Sequence, residues 1–206
     1  MVITEDLRIE VIERLKTEAF IRMPALEAEY LTLASQLPFK IEYHESEIYT
    51  MGLASIVHET IAAMVATILN NLFMDDTDYI VLGSNSGVHI PKFEGGYYMP
   101  DVMVLKGEPV YKANSTSIIT NPYLIVEVLS TATSKFDIEA KLPEYKHLES
   151  LHQIIFVNQK KVEVSSFIRS DKANTWLNQD FYTLADEVLI ANQPVSLASI
   201  YKKVRF

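Results

Sequence analysis

The spacing of apolar and polar positions divides the chain into a helical front, a strand-rich middle and a mixed tail. Residues 5–22 place Leu7, Val11, Ile12, Leu15 and Ala19 at helical intervals with charges between them. That pattern predicts one amphipathic helix stopping at Pro24. The fixed φ of Pro24 suits a first helical turn, so a second helix is predicted from there to about Gln36. Within 40–51, Ile41, Tyr43, Ile48 and Tyr49 flank a polar centre, the pattern of a β-hairpin. Residues 53–73 form the most hydrophobic segment. Ile61, Met64, Val65, Ile68, Leu69 and Leu72 make one continuous stripe there, which predicts a core helix.

After residue 78 the period shortens. Strands are predicted at 79–82 and 88–90, with the polar turn 83–87 between them, and again at 101–105 and 123–129. The last is nearly all apolar, as a strand buried on both faces must be. Residues 137–149 read as a helix in which Pro143 forces a kink or an early end. A strand pair at 154–157 and 162–168, short β-like pieces and a helix from Ser196 to Lys203 complete the chain. Helices, sheet, helix and sheet in that order predict a mixed α/β domain built on one central sheet. With 206 residues, this suits a helical extension over 1–24 and one domain over 25–206.

The absence of cysteine excludes a disulfide framework, a Cys-ligated zinc and a Cys nucleophile. Charge is distributed unevenly. Eighteen Lys and Arg against 27 Asp and Glu give −9, and residues 41–91 contain no Lys or Arg. A constitutive, non-specific nucleic-acid binder is excluded on that balance, because such affinity comes from cations neutralising phosphates. Clustered carboxylates could instead attract a divalent cation. No apolar run is expected to reach the roughly 18 residues that span a bilayer, which excludes a transmembrane helix, and the first residues lack the pattern of a signal peptide. No membrane partner and a cytoplasmic location are therefore expected.

Chemistry concentrates on few residues. Glu127 is the single charge in the buried-looking strand, so it must be neutralised, paired or metal-bound. Asp101 opens another strand after Pro100, with 25 residues between it and Glu127. Pairing of those strands would bring both acids to one sheet edge, an oxygen-rich site suited to Mg²⁺ or Mn²⁺. Each acid could equally bond backbone N–H groups. Lys141 follows on the next helix with Asp137 one turn before it. A surface i,i+4 pair and a lysine reaching the metal site are both open readings.

Three strings then carry a resemblance: Tyr98-Met99-Pro100-Asp101-Val102-Met103-Val104, Leu124-Ile125-Val126-Glu127-Val128-Leu129-Ser130, and Asp137…Lys141…Tyr145. Together with the hairpin around Glu42–Met51, His58 at a helix start, Ile154–Val157 and Val195–Tyr201, they resemble the Uma-type "putative restriction endonuclease" family. That family belongs to the PD-(D/E)XK nuclease superfamily. The resemblance covers about residues 25–203 and implies a restriction endonuclease-like fold, a central mixed sheet flanked by helices, with Asp101 and Glu127 as metal-binding acids. It further implies the backbone carbonyl of Leu129 as a metal ligand. Leu129 stands where such motifs carry lysine, so Lys141 becomes the catalytic lysine, with Lys135 as rival or phosphate contact. Glu42 could add a third carboxylate, and His58 is either a bonded structural histidine or an auxiliary base. Tyr97, Tyr98 and Tyr123 could stack on bases, although packing is the commoner use of such tyrosines. Ser46 replaces the family's glycine at the hairpin turn.

The resemblance thus implies a Mg²⁺- or Mn²⁺-dependent endonuclease acting on DNA. An inactive binding or accessory protein and a small phosphate-ester hydrolase are the competing functions. The apolar stripe of the first helix must be covered, either by the chain itself or by a second copy in a homodimer.

Overall fold

The computed structural model describes residues 4–93 and 95–206; residues 1–3 of the expected extension lie outside these. The chain begins α1 (Thr4–Arg14), β1 (Phe20–Pro24), α2 (Glu27–Gln36), β2 (Ile41–His44), β3 (Glu47–Met51) and α3 (Ile56–Phe73). It continues β4 (Tyr79–Gly83), β5 (Gly87–His89), β6 (Tyr97–Tyr98), β7 (Val102–Lys106), β8 (Ile118–Ile119) and β9 (Pro122–Leu129). A helical stretch follows as α4 (Ser134–Phe136), a π-helical turn (Asp137–Lys141) and α5 (Leu142–Tyr145). Then come β10 (Gln153–Asn158), β11 (Val164–Arg169), β12 (Trp176–Phe181), β13 (Glu187–Ile190), β14 (Gln193–Ser196) and α6 (Leu197–Ile200).

The central mixed sheet has the order β12-β11-β10-β9-β7-β4. Only β9 and β10 run parallel in it. A parallel pair cannot be closed by a hairpin, so the chain crosses over through α4, the π-turn and α5. Strand β9 is nearly all apolar because both faces are covered. Leu124, Val126 and Val128 join Ile61, Val65 and Leu69 of α3 in one core. Ile125 meets Leu142, Tyr145 and Tyr98 in another. A second six-stranded sheet, β1-β3-β2-β6-β5-β8, carries α1 and α2 over a third core that includes Tyr30, Leu33 and Tyr43.

Two expectations need correction, besides the helix start read at Pro24, which closes β1 while α2 begins at Glu27. The helix read over 5–22 ends at Arg14, and Phe20–Pro24 pair antiparallel with β3. Ile21 and Met23 are buried while Arg22 between them is exposed, the period of two that a strand imposes. The stripe of α1 is covered within the chain at Leu7 and Val11. The second correction concerns α3. Its 18 residues are long and apolar enough, by length and composition alone, to cross a membrane. In this fold Ile61, Val65, Leu69 and Phe73 line one side of it and face the central sheet.

Candidate active site

Strands β7 and β9 pair antiparallel with Val102 opposite Val126. One step further along that register, Asp101 stands across from Glu127. Glu127 projects to the side where α5 packs and meets Tyr145 there, whereas Asp101, just before β7, turns to Lys40 and to His58 of α3. Asp101 Oδ2 also accepts the backbone N–H of Val128 at 2.9 Å. The expected convergence at one sheet edge is thus built by strand register.

Behind Glu127 lies a buried charge cluster. Lys141 Nζ is 3.2 Å from Glu127 Oε1, 2.9 Å from Glu42 Oε1 and 2.9 Å from Asp137 Oδ1. Tyr145 donates its hydroxyl to Glu127 Oε1 at 2.7 Å, and the Met99 N–H donates to Glu42 Oε1 at 2.7 Å. The rings of Tyr98 and Phe136 also face the ammonium, with centroids 5.8 Å and 5.5 Å away. Lys141 itself is 3% exposed. Burial alone would strip its charge, but Asp137, Glu127 and Glu42 outweigh that and hold its pKa well above the ordinary value. Burial pushes Glu127 up to about 8 despite Lys141, and it raises Glu42 as well. Glu42 Oε2 is buried without a hydrogen-bond partner.

The π-turn makes this cluster. Leu142 N–H bonds the carbonyl of Asp137, five residues back, and Pro143 follows at once. Proline lacks the N–H an α-helix needs and its ring crowds the preceding turn. Widening the helix there relieves both and turns Asp137 and Lys141 inward. The i,i+4 pair that could have sat on the surface is therefore buried.

Asp101 is the acid that meets solvent-accessible space. Lys40 Nζ lies 2.8 Å from its Oδ1, and His58 Nε2 lies 3.0 Å from its Oδ2. These partners overcome the cost of burial and hold the Asp101 pKa far below the carboxylate range. Burial would lower His58, but the Asp101 hydrogen bond and charge prevail and raise it. Ser55 caps α3 by accepting the His58 N–H at 3.1 Å, and its hydroxyl donates to Gln159 Oε1 at 2.7 Å. That cap fixes the first turn of α3 against the end of β10. Asp101, Lys40 and His58 line a cavity of about 730 Å³.

Asp101, Glu127, Lys141, Glu42 and His58 are therefore brought to one region. Lys135 is not: its side chain is 83% exposed and faces Glu139 at 3.8 Å. The Leu129 carbonyl accepts the Gln159 N–H at 3.3 Å, so part of its capacity serves the sheet. Tyr97 and Tyr98 are buried, and Tyr123 stacks on His152 at the opposite end of β9 from Glu127. None of the three offers a ring to the cavity. Lys40 escaped sequence reasoning. It precedes the hairpin as one lysine between Phe39 and Ile41, and only the fold brings it to a residue 61 positions away.

Asp101 and Glu127 supply hard oxygen donors, and a cation beside them would relieve the buried charge on Glu127. Among the described residues no three His, Asp or Glu side chains are grouped to hold a metal ion, so Glu42 does not complete a three-donor set. The residues fit an ion such as Mg²⁺, which takes one or two carboxylates and fills its shell with water and phosphate; they do not form an all-protein cage.

Comparison with known proteins bears on the family and the fold. The chain is 34% identical over 132 residues to the uncharacterized protein sll1609 of Synechocystis, covering 64% of this chain and 73% of the relative. It is 31% identical over 180 residues to slr1290 of the same organism, covering 86% and 92%. The crystal structure of a "putative nuclease belonging to DUF820" from Anabaena variabilis superposes with a TM-score of 0.65 at 15% identity, covering 84% of this chain and 97% of that one. The fold is therefore restriction endonuclease-like, and nucleases of that fold generally use divalent metals. Residues 27–198 match the Uma2 family model, described as "Putative restriction endonuclease", and the chain belongs to that family.

Proposed function

We propose that this protein is a Mg²⁺- or Mn²⁺-dependent endonuclease that hydrolyses DNA phosphodiester bonds. The observation that carries the reading is the register placing Asp101 across from Glu127, with the Lys141 ammonium 3.2 Å from Glu127. A divalent cation held by Asp101 and Glu127 would supply Lewis-acid charge at the phosphate and lower the pKa of a bound water. The chain's own residues prepare that site. Lys141 offsets the clustered acids, which keeps Glu127 near ionisation in a buried setting. Tyr145 fixes the Glu127 carboxylate by its hydrogen bond. Lys40 and His58 hold Asp101 ionised at the mouth of the cavity, and Lys40 is the cation placed to meet an incoming phosphate.

Mn²⁺ titration by calorimetry tests this, with wild type beside Asp101→Ala/Glu127→Ala. Saturable binding lost in the double variant, together with Mn²⁺-dependent cleavage of DNA that the double variant lacks, is the expected result. Binding that survives the double substitution would move the metal elsewhere and overturn the assignment. Metal binding without cleavage of any DNA would favour the accessory-protein alternative.

A further inference from the structure

The cavity beside Asp101 is not the surface a duplex requires. Ile12, Leu15, Phe39, Met51 and Leu53 form much of its wall, with Lys16 and Lys160 also lining it. The Leu53 side chain is fully exposed, and Ile12 is 37% exposed. Such apolar groups beside the ionised Asp101 are unexplained by folding, since they gain nothing from facing water. Duplex DNA meets a protein through phosphates and groove edges, its base faces being stacked inside. A single strand offers base faces, which lie on apolar and aromatic surfaces with little regard to sequence. A volume of about 730 Å³ falls in the range of small-ligand pockets and suits a nucleotide or two, not a double helix.

Part of this wall comes from α1 and the turn after it. Ile12, Leu15, Lys16 and Ala19 all line the cavity and all precede residue 27, where the family match begins. The N-terminal element therefore shares the cavity with Asp101.

We infer that the cleft takes single-stranded DNA, with unstacked bases lying on the wall of Ile12, Leu15 and Leu53 while the phosphate passes Lys40 and Asp101. This rests on the nuclease reading above and specifies its substrate. Small apolar wall positions set the preference by contact, and the acid pair stays common to any nucleic-acid substrate.

The test uses a fluorescein-labelled oligodeoxynucleotide of about 20 residues, single-stranded or annealed to its complement, with Mn²⁺ and the full chain. Wild type is expected to cut the single strand at least tenfold faster in kcat/KM. Ile12→Asp and Leu53→Asp are each expected to raise KM for the single strand several-fold with kcat little changed. Both variants keep wild-type Mn²⁺ binding by calorimetry, because neither touches the acids. Equal or faster cutting of the duplex, or wall variants that cut like wild type, would overturn this inference and leave the nuclease reading standing. Failure to cut either form would overturn the nuclease reading, and the inference with it.

Discussion

Lys141 is held by three acids and two aromatic rings, with almost none of it in water. Breaking a buried ion pair from one side costs about 3–5 kcal/mol, because the partner charge stays buried and unpaired. Lys141→Met is therefore expected to lower Tm by about 10 °C or more in a domain of this size, read by calorimetry on the metal-free protein. A shift of only a degree or two would show that the acids are already protonated. Glu127 sets a pH dependence of opposite sense to the usual carboxylate. Its folded pKa is raised from 4.5 to about 8 by burial. Over that window the native state keeps a proton that the unfolded chain releases, so its contribution to stability is lost as pH rises towards 8. Asp101 is depressed, so its contribution is present above its ordinary 3.8 and lost only on acidification below that. Urea midpoints between pH 5 and 8 should fall with pH in the metal-free protein, and Glu127→Gln should flatten that slope. The charge of Glu127 within an apolar run was legible in the sequence, and Lys141, 14 positions on, was one open reading for its partner; that Lys141 also binds Glu42 was not, since those two are 99 positions apart. The turn at Glu45 and Ser46 has φ of 48° and 63°, the left-handed pair of a type I′ hairpin. Ser46→Gly removes strain of about 1 kcal/mol, partly offset by unfolded-state entropy, and is expected to raise Tm slightly without affecting activity.

Elements whose apolar period is uninterrupted were readable directly. The stripe of α3, the hairpin β2–β3 and the continuous apolar run of β9 each stand where their patterns put them. The front of the chain misled because Ala19 continues the helical spacing of α1 although the chain has already turned. There the strand partner β3, not the local sequence, decides the conformation. Short strands such as β6 and β8, two residues each, have no period to read and exist only through their neighbours. The π-turn was likewise invisible as such, although Pro143 marked the irregularity. Its extra residue sets the facing of everything downstream by about 100°. Deleting the exposed Ile138 should return the segment to α-helical register and swing Lys141 away from Glu127. Helix content by circular dichroism should persist while cleavage falls at least a hundredfold. Retained cleavage would mean that the Lys141 contact plays no part in the reaction.

At the scale of the whole molecule the charge asymmetry was plain from the sequence, but its use was not. The stretch 41–91 without Lys or Arg supplies Glu42 and His58 to the site and part of the cavity wall. The cations that reach the cavity come from outside it, as Lys16, Lys40 and Lys160. A protein of net charge −9 has little general attraction for a polyanion, so few phosphates can be neutralised on binding. Each neutralised phosphate of a single strand contributes about −0.7 to the slope of log affinity against log salt. Three lysines therefore predict a slope near −2, measured by anisotropy with an uncleaved strand, with Ca²⁺ held fixed. Lys160→Ala should make it shallower by about 0.7. A slope as steep as about −5 would require a longer track of phosphate contacts than the cavity provides, and recognition would then lie on another face of the protein.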